Sequence, residues 1–244
     1  MLRSLSLIRG ALRTSVLIKP SGSFHSVALQ SFRLSSPGLF PVSRSFHGQR
    51  PVQWQNDINV DRSLLYIDRE IRRTGRINQG EIEEILGDIR EIKEATVSQS
   101  LMLLRCCGEL VPGESPENRT KLVHEVWQTI ESLNVPVDIS HYNALLKVYL
   151  ENEHNFNPAD FLQELSNRLI EPNRVTYQRL IANFCQQGNI DGATTILEHM
   201  KEKELSINEH VFNALVLGHA QANDMESAEG MLSVMSQAGL EPND

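Results

Sequence analysis

A period of 35 residues governs the second half of the chain. Residues 139–243 are three copies of one unit, beginning at Ile139, Arg174 and Glu209. Set in register, the columns agree: Tyr142/Tyr177/Phe212, Leu145/Leu180/Leu215, Leu146/Ile181/Val216, Leu162/Leu197/Leu232, Leu165/Met200/Met235, Ile170/Leu205/Leu240 and Asn173/Asn208/Asn243. A fixed period of roughly 20–50 residues marks a solenoid, because one such unit cannot bury its apolar face alone and must stack on its neighbours. This constraint excludes most single-core folds for that part of the chain.

Each copy reads as two helices. Tyr177, Leu180, Ile181 and Phe184 fall at i, i+3, i+4, i+7, and Ala193, Ile196, Leu197 and Met200 follow the same period. Gly188-Asn189 separates the two runs, since glycine accepts the positive φ that ends a helix. In the third copy, Phe212, Leu215 and Val216 precede a turn near Asn223-Asp224, and Ala228, Met231, Leu232 and Met235 follow it. Pro172 and Pro242 close the first and third copies, where a missing amide and a fixed φ stop a helix. The spacing predicts antiparallel helical hairpins.

The stretch VTYQRLIANFCQQGNIDGATTILEHMKEKELSIN (175–208) resembles the pentatricopeptide repeat, a helical hairpin of this length used for single-stranded RNA. The family's closing Pro-Asp or Pro-Asn stands here as Pro172-Asn173 and Pro242-Asn243, while the middle copy has Ile207-Asn208. The tetratricopeptide repeat is the nearest rival, but its tryptophan and Leu-Gly signature are missing and its period is one residue shorter. RRTGRI (72–77), HYNALLKVYLEN (141–152), EPNRVTYQRLIA (171–182) and the stretch to AGLEPN (238–243) are similar to the N-terminal part of one animal mitochondrial member of the family. That member runs far beyond the present length, so the sequence is expected to be a fragment.

Upstream, residues 1–56 contain no Asp or Glu, seven Lys and Arg, and many serines. Acid-free, Arg-rich and Ser-rich composition is that of a mitochondrial transit peptide, and a disordered basic tail is the plainer alternative. The basic residues interrupt the apolar runs of a secretory signal. Cleavage is expected somewhere between about Phe24 and Phe46. Residues 57–138 read as two diverged hairpins. In the first, Leu64, Leu65, Ile67 and Ile71 are expected to line one helix, and Ile82, Ile85, Leu86, Ile89 and Ile92 the next. In the second, Leu101, Leu104 and Leu110 precede the loop Pro112–Pro116 and a helix bearing Leu122, Val123, Val126, Trp127 and Ile130. Three regular repeats follow at 139–173, 174–208 and 209–243. The expected architecture is an all-α solenoid of about five hairpins after a disordered presequence.

Charge argues against a generic nucleic-acid binder. The chain carries 23 Lys and Arg against 31 Asp and Glu; without residues 1–56 sixteen bases remain against all 31 acids, a net charge of −15. Such a segment lacks the basic footprint that gathers phosphate. It leaves open a protein-interaction scaffold as the alternative function.

No catalytic constellation emerges. Cys106, Cys107 and Cys185 lack metal-ligand spacing, and three thiols cannot pair completely; they read as core or partly buried groups. The eight histidines form no metal motif, and no phosphate loop, nucleophile elbow or dinucleotide glycine pattern occurs. No cofactor, no enzyme activity and no membrane insertion are expected. An RNA-processing enzyme would require a further catalytic domain with clustered carboxylates and metal.

What the resemblance implies is recognition, with one base read per repeat by two or three side chains. The family's base-contacting positions, carried over by column, give the edge-reading pairs Asn143 with Asn173, Gln178 with Asn208, and Asn213 with Asn243. Ser140, Val175 and His210 would pack against the bases. Paired asparagines resemble the family's pyrimidine-type combinations, whereas Gln178 departs from its usual choices. A structural alternative stands beside this: Asn173, Asn208 and Asn243 lie where helix N-caps belong. The resemblance further implies residence in the mitochondrial matrix, leaving an additional nuclear pool open. It also implies a role in stabilising mitochondrial mRNAs and supporting their polyadenylation and translation, with a small RNA-recognition-motif protein, the stem-loop-interacting RNA-binding protein, as partner.

Overall fold

A computed structural model of the chain describes residues 52–237 and 239, with side chains from residue 59. The presequence as far as residue 51, together with Leu240, Pro242 and Asn243, lies outside the described residues. Within them are ten α-helices and no strand. They are α1 (Val52–Thr74), α2 (Gln79–Ile92), α3 (Val97–Cys106), α4 (Pro116–Ser132), α5 (Ile139–Glu151), α6 (Pro158–Asn167), α7 (Arg174–Gln186), α8 (Ile190–Glu202), α9 (Glu209–Gln221) and α10 (Met225–Gln237). Helix α1 takes in residues 52–56, which the composition alone assigns to the presequence.

The first helices of the hairpins touch in succession, α1 on α3, α3 on α5, α5 on α7 and α7 on α9, and so form one continuous row. The second helices back that row, and α4, α6 and α8 each also touch the first helix of the following hairpin. This is the solenoid the period predicts. The apolar columns supply its core: Tyr142, Tyr177 and Phe212 are buried, as are Leu145, Leu180 and Leu215, and Leu165, Met200 and Met235.

The backbone repeats more faithfully than the side chains. Left-handed residues close the helices at Glu153, Gly188 and Asn223, and again at Asn134, Leu169, Glu204 and Gly239, each set spaced by 35. In the first set the amide beyond the turn bonds back over it: His154 N donates to Tyr149 O at 2.8 Å, Asn189 N to Phe184 O at 2.9 Å and Asp224 N to His219 O at 2.9 Å. The second set does the same with Val135 to Ile130, Ile170 to Leu165 and Leu205 to Met200. Bonds of this pattern satisfy the carbonyls a helix end leaves free and set the angle at which the next helix departs.

Two local departures from the sequence reading have plain causes. Leu65 is not a core residue: it is 55% exposed, while Leu64 and Ile67 are buried and Ile71 is half-buried. An i, i+3, i+7 stripe already fills the contact with α2, and Leu65 falls off its edge beside the equally exposed Tyr66. Helix α6 starts three residues later than its counterparts α8 and α10, because Pro158 occupies its first turn behind the Asn157 cap. Aromatic rings fill the opened hairpin. Tyr142 meets Phe161 edge-on at 5.6 Å and Trp127 at 5.0 Å, and Phe156 lies between Tyr149 and Phe161.

Candidate nucleic-acid interface

The first helices begin with polar residues that the fold brings together across repeat junctions. Asn143, fifth in its repeat, and Asn173, the last, are thirty residues apart in sequence. Asn143 Nδ2 donates to Asn173 Oδ1 at 3.2 Å. One repeat later Gln178 Nε2 donates to Asn208 Oδ1 at 3.0 Å. Both sequence-derived pairs are thus assembled as side-by-side amides. Asn213 is half-buried on α9 at the matching place, and its expected partner Asn243 lies outside the described residues. Ser140, Val175 and His210 sit at the second position of α5, α7 and α9, each half-buried.

The capping alternative applies unequally. Asn173 does cap α7, its Oδ1 accepting from Val175 N at 3.0 Å and Thr176 N at 3.2 Å. Asn208 stands at the N-cap of α9 in extended backbone but makes no side-chain cap bond; its oxygen takes the Gln178 amide instead. Asn173 is exposed and Asn208 is buried, so the same column meets solvent differently in successive repeats.

A third column joins these junctions and was not legible as a site. Thr176, fully buried, donates from Oγ1 to Asn143 Oδ1 at 2.9 Å and lies 3.2 Å from Asn173 Oδ1. Its counterpart at the preceding junction is His141, whose Nδ1 is 2.8 Å from Asp138 Oδ1 and whose Nε2 is 3.1 Å from Ser100 Oγ. At the following junction it is Val211, which offers no hydrogen bond. Because His141, Thr176 and Val211 share no chemistry, alignment of the copies gives no sign that they occupy one structural place. The Ser100–His141–Asp138 line has the order of a nucleophilic triad, but Ser100 and His141 are sealed from solvent and no substrate could meet them. It is a junction lock. Partial burial pushes the Asp138 carboxyl up, yet the bonds from His141 and from two backbone amides outweigh this and hold it below its ordinary range.

Cations gather on the same row of helices. Arg179 reaches from α7 to the Asn143 carbonyl, and Lys147 pairs with Glu151 one turn further along α5. Burial draws Arg179 down to about 10, with Glu151 opposing the shift and Arg105 of α3 adding to it. At neutral pH Arg179 remains positive, so a strongly acidic segment still gathers Arg105, Lys147 and Arg179 around the single carboxylate of Glu151. The cysteines are core groups: all three are buried, and burial pushes Cys106 and Cys185 up to about 12 and Cys107 well above the ordinary thiol range. Cys107 lies beyond the end of α3, where its Sγ contacts Leu103 O at 3.2 Å, which is how two adjacent cysteines both become buried. Among the described residues no three His, Cys, Asp or Glu side chains are grouped to hold a metal, and no helix is long and apolar enough to cross a membrane.

A family model described as pentatricopeptide repeat-containing protein matches residues 115–233. The chain belongs to the pentatricopeptide-repeat family. Among individual relatives, it is similar to the leucine-rich PPR motif-containing protein, mitochondrial, of Mus musculus, with 50% identity over 182 residues, 73% of this chain and 13% of that protein. The protein of the same name from Xenopus tropicalis is 48% identical over 183 residues, 72% of this chain and 13% of its own length. The chain therefore spans about an eighth of these relatives. Among solved structures, the pentatricopeptide repeat protein PPR10 from maize covers 68% of this chain and 23% of its own, with a TM-score of 0.50 at 20% identity. PPR10 in complex with an 18-nt psaJ RNA element covers 78% and 29%, with a TM-score of 0.51 at 16% identity. At such identities the likeness concerns the fold.

Proposed function

We propose that this segment is a non-catalytic single-stranded RNA-binding solenoid of the mitochondrial matrix. The observation that carries the reading is the repeated amide pair: Asn143 with Asn173, then Gln178 with Asn208, each joined along the row of first helices, with exposed Asn173 and half-buried Gln178 set beside the buried Asn143 and Asn208. By column, Asn213 would take its place in a third pair with Asn243, which lies outside the described residues. Amide side chains hold both donors and an acceptor and so suit a Watson–Crick edge. Ser140, Val175 and His210 stand where a base would be flanked. The RNA complex of PPR10, a protein of like fold, supports the analogy.

In the whole protein this binding would keep mitochondrial mRNAs single-stranded and shielded, stabilising them and supporting polyadenylation and translation. The similarity to leucine-rich relatives named mitochondrial supports the compartment. The same reading takes a small RNA-recognition-motif protein, the stem-loop-interacting RNA-binding protein, as partner and adds a further nuclear pool. A scaffold without direct RNA contact is the second reading, and the net charge of −15 beyond residue 56 favours it.

Titration of fluorescent single-stranded RNA, with a duplex of the same sequence as competitor, separates the two. Binding of the single strand with little competition from the duplex supports RNA reading. No RNA binding at low salt, together with binding of the small partner protein, contradicts it in favour of the scaffold.

A further inference from the structure

The amides of a reading pair can turn over, and a pair that turns over presents an acceptor where it had presented a donor. At the junction of the first and second regular repeats every orientation is fixed by a chain of bonds. The backbone amides of Val175 and Thr176 hold Asn173 Oδ1, which in turn receives Asn143 Nδ2 at 3.2 Å. This places Asn143 Oδ1 against the Thr176 hydroxyl, 2.9 Å away, while Thr176 Oγ1 also accepts from Asn173 N at 3.2 Å. Turned over, the Asn143 amide would set its oxygen against that of Asn173. Asn143 is buried, at 8% exposure, while Asn173 is exposed. A ligand therefore meets chiefly the two N–H groups of Asn173, with the second N–H of Asn143 and one lone pair of its oxygen behind them.

We propose that Thr176 is a positioning residue that determines specificity at this pair: its hydroxyl engages the oxygen of the buried Asn143 and fixes the pair so that exposed Asn173 turns its N–H donors to RNA, and this repeat takes a nucleobase edge rich in acceptors. The inference rests on the RNA-reading face described above. It assigns the third residue of one repeat to the base read by the repeat before it. At the next junction Val211 stands in the place of Thr176 and has no hydroxyl, so the Gln178/Asn208 pair lacks this lock.

The test measures the full chain against four single-stranded RNAs that differ only in the nucleotide at one position, scanned along the oligonucleotide until the position governed by Asn143 and Asn173 is found with an Asn143→Ala control. Thr176→Val has nearly the same shape, and valine already serves in this column, so thermal melting should show the fold retained. The ratio of affinities between the best and worst base at that position should fall about tenfold, as expected for loss of one ordering hydrogen bond. Ratios at other positions should hold, and Thr176→Ser should restore the lost one. Val211→Thr should alter discrimination only at the position read by Gln178 and Asn208. An unchanged ratio in folded Thr176→Val, or an equal loss at every position, overturns the assignment while leaving RNA binding intact. Wild-type protein that binds none of the RNAs overturns both.

Discussion

At the scale of residues, one column serves two purposes in unequal proportion. Asn173 both caps α7 and completes an amide pair, whereas Asn208 makes only the pair. Asn173→Ala should therefore lower unfolding stability by about 1 kcal/mol, the usual worth of a cap, and Asn208→Ala by less than half of that. Urea denaturation of the two variants compares them directly, and equal losses would show that capping geometry does not separate the sites. The fifth and last columns were legible in the sequence because both carry amides in every copy. Thr176 was not, because its column holds histidine, threonine and valine, and its partners lie in a neighbouring repeat that only folding brings near.

At the scale of elements, the helices and their order follow from periodicity, and their starts from caps and prolines such as Asn157-Pro158. The spacing between helices does not, since it depends on volumes at points of contact. Gly218 of α9 shows this: a Cβ there would lie 2.8 Å from Ile190 Cδ1 and within 3.0 Å of the Cys185 backbone. Gly87 of α2 has open space around the same atom. Alanine gains up to about 1 kcal/mol over glycine inside a helix, but crowding a packed interface costs roughly 1–3 kcal/mol. Gly87→Ala should thus raise the melting temperature and Gly218→Ala should lower it, and matching shifts of one sign would refute the close approach of α7 and α9. Leu65 taught the same lesson in reverse: an apolar residue at helical spacing stays exposed when the neighbouring stripe already fills the contact.

At the scale of the whole molecule, net charge and local charge point in opposite directions. The total was readable from composition and speaks against phosphate binding. The gathering of Arg105, Lys147 and Arg179 about Glu151 on successive first helices was not, since it depends on the stacking of distant segments. An acidic solenoid that reads RNA must therefore rely on base contacts along one face more than on attraction by its field. Stacking of about 1–3 kcal/mol per base, over three regular repeats, allows only modest affinity for this segment. The most direct measurement is RNA affinity across a salt series for the chain and for a variant with Asn143→Ala, Gln178→Ala and Asn213→Ala together. Binding that weakens with salt in both, but is at least about tenfold weaker in the folded variant with the same salt slope, is the predicted result. Equal affinity of the two proteins at every salt concentration would contradict base reading by the amide pairs.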